Sequence, residues 1–192
     1  MEGERGDIGE AVIATERLEL VPATAELTQA ALDGPAALAT ALGASVPATW
    51  PPEFLDDAAL GFMLERLKEG PSQAGWWLHF VVLTDGDAGP LLVGSAGYKG
   101  PPSPEGMVEI GYGIVRDQQR RGYASEAARG LIEHAFTDAA VRTVVAETLP
   151  ALTPSIGVLA KCGFHLIGEG SEPGVIRYQL TRAEYCTGGG AA

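Results

Sequence analysis

Residues 109–127 read EIGYGIVRDQQRRGYASEA, and the architecture follows from them more than from any other segment. A β-type run ends at Val115. A polar turn rich in Arg and Gln follows, and Gln119-x-x-Gly122-x-Ala124 then opens a helix. Such a helix start offers backbone N–H groups and the positive end of the helix dipole to an anion. Gly122 and Ala124 are small enough for a ligand phosphate to approach the main chain. Arg116, Arg120 and Arg121 surround the same turn. The physical reading is a diphosphate cradle at a strand–turn–helix junction.

The flanking segments carry matching periodicities. Arg17 to Val21 alternates as a first strand, and Thr24 can cap a helix running through Leu32. Gly34-Pro35 separates a second short helix from the first, and residues 47–52 form a loop with Trp50 at its centre. Leu60, Met63, Leu64 and Leu67 mark a helix over 56–68. Strands are expected over 76–84, 91–99 and 107–115, the first ended by the turn at 85–87. After the helix from Gly122 to about Phe136, a strand is expected over 142–148 and a helix over 153–162, with Thr153 as N-cap, Pro154 at N1 and Gly163 closing it. A hairpin over 164–168 and 175–180 completes the chain. An antiparallel meander therefore leads into a β-α-β-α-β unit, which gives a mixed sheet.

At 192 residues the chain suits one domain, set here at 11–182, between a disordered 1–10 segment and a flexible tail from 183 to 192. Its 46% hydrophobic and 20% charged residues are those of a globular protein. The net charge of -12 argues against nucleic-acid or anionic-membrane partners. It favours a cationic partner, such as an amine or a basic protein tail, or it serves solubility alone. The charged start MEGERGDIGE is no signal peptide, and no apolar run is long enough to span a membrane. Cytoplasmic localisation is the expectation. Cys162 and Cys186 imply neither a disulfide framework nor a metal site. The three histidines, His79, His134 and His165, are scattered and read as structural or exposed.

Gln119, Gly122 and Ala124 resemble the phosphate-binding motif of the GNAT superfamily, the acetyl-CoA-dependent N-acetyltransferases. The resemblance runs over roughly 15–181. Thr15-Glu16-Arg17-Leu18-Glu19-Leu20 looks like the start of the branch that includes ribosomal-protein N-terminal acetyltransferases. Glu147 to Pro150 and Ser155 to Phe164 resemble later blocks of that branch. The resemblance implies an α/β (α+β) fold: a mixed central sheet of six to seven strands flanked by helices, with a splayed central strand pair binding CoA. It implies cofactor contacts at Gln119, Arg120, Arg121, Gly122, Tyr123 and Ala124. It also implies that Ile114 and Val115 offer backbone groups to the pantetheine arm.

Acyl transfer to an amine needs a proton acceptor, an oxyanion donor and a proton for the departing thiolate. Glu109 shares a strand face with Gly111, Gly113 and Val115, where the glycines leave room for a substrate. It is the candidate base; the alternative is a structural carboxylate paired with a cation or a backbone N–H. The helix Tyr that serves the thiolate in many family members is replaced by Leu159, and an Asn that often begins this block by Leu152. Ser155 remains, either as the acid or as a hydrogen-bonding partner of the pantetheine. Trp50, Trp77 and Tyr98 are substrate-side candidates. No metal is required, and homodimers are common in such families. The reading is an N-acetyltransferase acting by direct attack in a ternary complex, because neither cysteine nor any serine stands beside a base. A non-catalytic acyl-CoA binding or sensing module is the alternative. A nucleotide-binding enzyme is disfavoured, because Gly-Lys-Ser/Thr is absent.

Overall fold

The computed structural model describes residues 12–69, 75–86 and 88–188. The expected disordered start at 1–10, Asp87 and the last four residues lie outside them. Among the described residues the order is β1 (Ile13–Ala14), β2 (Leu18–Pro22), α1 (Ala25–Asp33), α2 (Pro35–Leu42), α3 (Asp57–Lys68), β3 (Leu78–Leu83), β4 (Leu91–Tyr98) and β5 (Met107–Ile114). There follow α4 (Tyr123–Thr137), β6 (Thr143–Thr148), α5 (Thr153–Lys161), β7 (His165–Glu169), β8 (Ile176–Thr181) and α6 (Arg182–Thr187). One sheet runs β1-β2-β3-β4-β5-β6-β8-β7. All its neighbours are antiparallel except β5 and β6.

This is the mixed α/β fold expected, with eight strands rather than six or seven. The additional one is β1, two residues that pair with Leu20 and Glu19. It lies where α4 carries Gly130, whose missing Cβ would stand 3.0 Å from Thr15 Cγ2 and 3.3 Å from Ile13 Cγ2. A second difference is α6. Its capping box between Thr181 and Glu184 sets a helix where the composition reads as tail.

Each face of the sheet has its own core. Ala127, Ala128, Leu131 and Ala135 of α4 have no exposed surface and pack with Val108, Ile110, Ile114 and Leu159. The small residues let α4 lie close to β4 and β5. The opposite face is covered by α1 to α3, through Leu27, Leu38, Leu60, Phe80, Leu92 and Val115. Thr24 and Asp56 cap α1 and α3 by accepting from the Leu27 and Ala59 N–H groups. The start of α5 differs from expectation: Leu152, not Thr153, is the N-cap, and no side chain caps it.

Candidate active site

Strand β5 pairs with its two neighbours over different halves. Toward β4 it pairs from Ile110 to Ile114 with no shift of register. Toward β6 the pairing covers Met107 to Ile110 and stops at Ile110↔Ala146. The Lys99 N–H donates to the Glu109 carbonyl and the Val115 N–H to the Val93 carbonyl, at 2.9 and 3.0 Å. The odd-numbered residues of β5 therefore spend their backbone groups on β4. By alternation Tyr112 and Ile114 aim theirs at the side that β6 has left. This corrects the expectation for Val115. Its N–H is bound to Val93 and its carbonyl accepts from the Gln118 N–H, so Tyr112, not Val115, joins Ile114 at the open edge.

The turn after β5 folds as the glycine placement requires. Gly122 is the N-cap of α4, with φ 87°, and no side chain caps the helix. Arg120 also has positive φ, 62°. The Gln119 side chain donates from Nε2 to the Ile114 carbonyl at 3.0 Å, so it ties the turn to the strand. Arg116, Arg120 and Arg121 are exposed, Tyr123 is buried and Ala124 half-buried.

A fourth cation, unnoticed in the sequence, reaches the turn from the other end of the chain. Arg17 donates to Glu126 from its backbone N–H and Nε, at 2.7 and 2.8 Å, and to the Arg121 carbonyl from Nη1, at 3.2 Å. Its guanidinium lies 4.8 Å from the centre of the Tyr123 ring. Burial raises the Glu126 carboxyl, but the bonds from Thr15 and Arg17 outweigh it and hold the group below its ordinary value. These contacts link more than a hundred residues of separation, which no local motif signals.

On the α1–α3 face, Glu109 is ion-paired with Lys99 and its side chain is 17% exposed. Its neighbour Gly111 has open space where a Cβ would stand, whereas at Gly113 a Cβ would meet Pro52 at 3.2 Å. The space beside Glu109 is thus open at Gly111 and closed by Pro52 and Glu53 at Gly113. Trp77 stacks edge-on against Phe62 of α3, ring centres 5.9 Å apart.

Two substrate-side candidates lie within the cores. Trp50 is 9% exposed and packs 5.9 Å from Phe80, so it anchors its loop in the α1–α3 core. Tyr98 is turned to the other face, 3% exposed, and its hydroxyl donates to the Leu131 carbonyl at 2.6 Å. Position in a strand gives the alternation of side chains but not which face bears the groove.

On the α4–α5 face Ser155 meets a residue that the sequence reading passed over. Tyr112 Oη lies 3.2 Å from the Ser155 carbonyl and 3.4 Å from Ser155 Oγ. Burial pushes the Tyr112 phenol up to about 12, against the opposing effect of the Ser155 hydrogen bond. The Cys162 thiol is raised by burial and donates to the Ser125 carbonyl at 3.7 Å, the state of a protonated packing residue.

Comparison with known proteins identifies the family. The acetyltransferase (GNAT) domain profile matches residues 17–165. The uncharacterised N-acetyltransferase YjdG of Bacillus subtilis is 28% identical over 162 residues, covering 84% of this chain and 94% of its own. The uncharacterised N-acetyltransferase p20 of Bacillus licheniformis is 34% identical over 77 residues, 40% of this chain and 43% of its own. Among solved structures, a GNAT acetyltransferase of Bacillus anthracis superposes with a TM-score of 0.61 at 18% identity, over 88% of this chain and 98% of the other. A candidate ribosomal-protein-serine acetyltransferase of Vibrio cholerae gives 0.61 at 22%, over 88% and 97%. The microcin C7 self-immunity acetyltransferase MccE, solved with acetyl-CoA and AMP, gives 0.59 at 15%, over 88% and 94%. The chain belongs to the GNAT family of acetyltransferases, enzymes whose acyl donor is acetyl-CoA.

Proposed function

We propose that this enzyme transfers acetyl from acetyl-CoA to a primary amine, on a protein N-terminus or a small molecule, by direct attack in a ternary complex. The observation that carries the reading is the placement of two polar groups on opposite faces of β5, where it parts from β6. Glu109 stands beside open space at Gly111 on one face, and Tyr112 meets Ser155 on the other. Direct attack is served by separate groups, because the amine gives up a proton and the thiolate takes one.

The residues fit the donor. Gly122 keeps a side chain off the first turn of α4, whose N–H groups and nearby arginines suit a diphosphate. The backbone edge at Tyr112 and Ile114 suits the amides of a pantetheine arm. Bound acetyl-CoA supplies the thioester whose C–S bond breaks as the C–N bond forms. Glu109, directly or through water, takes the proton that the attacking nitrogen loses. The Ile114 N–H is aimed to polarise the acetyl carbonyl. Ser155 or Tyr112 gives the departing sulfur its proton.

The finer placement is in the branch of the ribosomal-protein N-terminal acetyltransferases. The start of β2 supports it, as does the likeness to the Vibrio cholerae fold. The acidic balance of the chain suits a cationic acceptor. We place the catalytic unit in the cytoplasm as a single domain that includes α6, able to form a homodimer. The test is acetyl-CoA turnover against a panel of basic peptides with free N-termini and small primary amines, read as released thiol and acetylated product. Product with at least one amine is expected. CoA binding without turnover on any amine would instead favour the acyl-CoA sensing module.

A further inference from the structure

The gap between β5 and β6 needs a cause, because neighbouring strands of like length otherwise stay paired. It does not lie in β5, whose register with β4 is unbroken from Gly94↔Ile114 to Tyr98↔Ile110. It lies in β6. Where β6 stops pairing with β5, at Ala146, it keeps pairing with β8, through Glu147↔Arg177 and Thr148↔Ile176. The side chain of Glu147 is 6% exposed and fully engaged on the β8 side. Its Oε1 accepts from Arg177 Nε at 2.7 Å and from the Ser171 N–H at 2.8 Å, and Oε2 accepts from Ser171 Oγ at 2.7 Å. Arg177 Nη2 closes an ion pair at 2.6 Å. The 170–175 turn sits directly on this carboxylate: a Cβ at Gly170 would stand 3.1 Å from Glu147 Cδ.

We infer that Glu147 is a positioning residue: by clasping Arg177 and Ser171 it holds the end of β6 to β8 and so keeps the β5–β6 gap open. Three hydrogen bonds and an ion pair to one nearly buried carboxylate make a stiff joint. They act on the first residues beyond the last β5–β6 pair. Without them the Tyr112 backbone groups and the Ile114 N–H have β6 as a competing partner, since unpaired strand edges seek one. The inference rests on the proposed reading of the gap as the seat of the pantetheine arm.

Two probes separate the gap from the phosphate turn. ADP carries the diphosphate and no pantetheine, whereas CoA carries both. The full chain and its Glu147→Gln variant are titrated with each by calorimetry, with Ser171→Ala as a second variant that removes one bond only. Losing charge-assisted hydrogen bonds should weaken CoA about tenfold in Glu147→Gln. ADP affinity should stay unchanged, and Ser171→Ala should fall between. Equal loss of both ligands would make Glu147 a support of the whole fold and overturn the proposal. Unchanged CoA affinity in both variants would overturn it too. If the unsubstituted chain bound CoA no tighter than ADP, the reading of the gap itself would fall, and the proposal with it.

Discussion

Tyr112 and Ser155, 43 positions apart, meet across the β5–α5 junction with their hydroxyl oxygens 3.4 Å from each other. Either can be the donor in that contact. Leu159 is fully buried, so the hydroxyl that α5 brings to Tyr112 is that of Ser155. The phenol, raised to about 12, stays protonated at every working pH and is available as a donor. A general acid contributes about 10²–10⁴-fold, and replaceable hydroxyls fall at the low end. Tyr112→Phe and Ser155→Ala should each slow turnover, and the double variant should lose less than the product of the two. The loss should shrink with an acyl donor whose thiol leaves more readily. Multiplicative losses that ignore the leaving group would make both residues positioning elements for the cofactor.

Ala124 offers the cleanest test of the phosphate turn. Gly122 has positive φ and lies 3.3 Å from Arg17 Nη2 at the Cβ position, so any replacement there strains the backbone as well. Ala124 is helical and half-buried. A glutamate in the first turn of a helix is favoured by the dipole, whereas it repels a diphosphate at the same place. Ala124→Glu should therefore keep the unfolding midpoint while weakening CoA by at least about tenfold. Unchanged CoA affinity by calorimetry would remove the diphosphate from this turn.

The phosphate turn was legible because its signal is local. A strand, two small residues and a helix start within sixteen positions specify it, and Glu109 with its glycines lies just before it. What stayed hidden depends on distant segments. Arg17 reaches Arg121 and Glu126 only once β2 lies beside α4, and Tyr112 acquires meaning only when α5 folds over β5. Trp50 and Tyr98 were aromatic and near the right elements, but their faces are set by packing. Val115 was assigned to the cofactor by the family resemblance, whereas the odd-residue register commits its N–H to β4.

Acid should destabilise the fold through Glu147 and Glu126. Burial raises both carboxyls, yet their hydrogen-bonded cations and hydroxyls win and leave each below the ordinary carboxylate range. A depressed folded value contributes stability above the unfolded one and loses it as pH falls through the folded one. Chemical denaturation between pH 6 and 3 should show stability falling with the pH, and Glu147→Gln should flatten part of that slope. An unchanged slope would mean that the carboxylate is equally stabilised in the unfolded chain.

Glu109 and Lys99 form a pair that two substitutions can divide. Glu109→Gln keeps the shape and removes the base. It should lower kcat, by about 10²-fold if the carboxylate takes the proton itself, alter the pH–rate profile and leave CoA binding intact. Lys99→Met removes only the partner and should leave turnover within the same decade. If Glu109→Gln worked at full rate with the original pH profile, the carboxylate would be the ammonium's structural partner and nothing more.

Gly111 separates stability from function by sign. A Cβ there meets nothing within 4 Å, and its φ lies outside the left-handed region, so alanine fits without strain. Replacing glycine inside a strand relieves an entropic cost and should stabilise the fold by about 0.5–1 kcal/mol. The same methyl projects into the open side of the groove beside Glu109, where the amine is proposed to lie. Gly111→Ala should therefore raise the unfolding midpoint and lower kcat/KM for the acceptor, about tenfold for a branched amine and less for a slender one. KM for acetyl-CoA should not move, because the backbone groups of Gly111 face β4. Gly97 is the opposite case: its Cβ would stand 2.1 Å from the Trp77 carbonyl oxygen, so alanine there should destabilise the sheet. Full activity of Gly111→Ala toward every amine would place the acceptor elsewhere on the molecule.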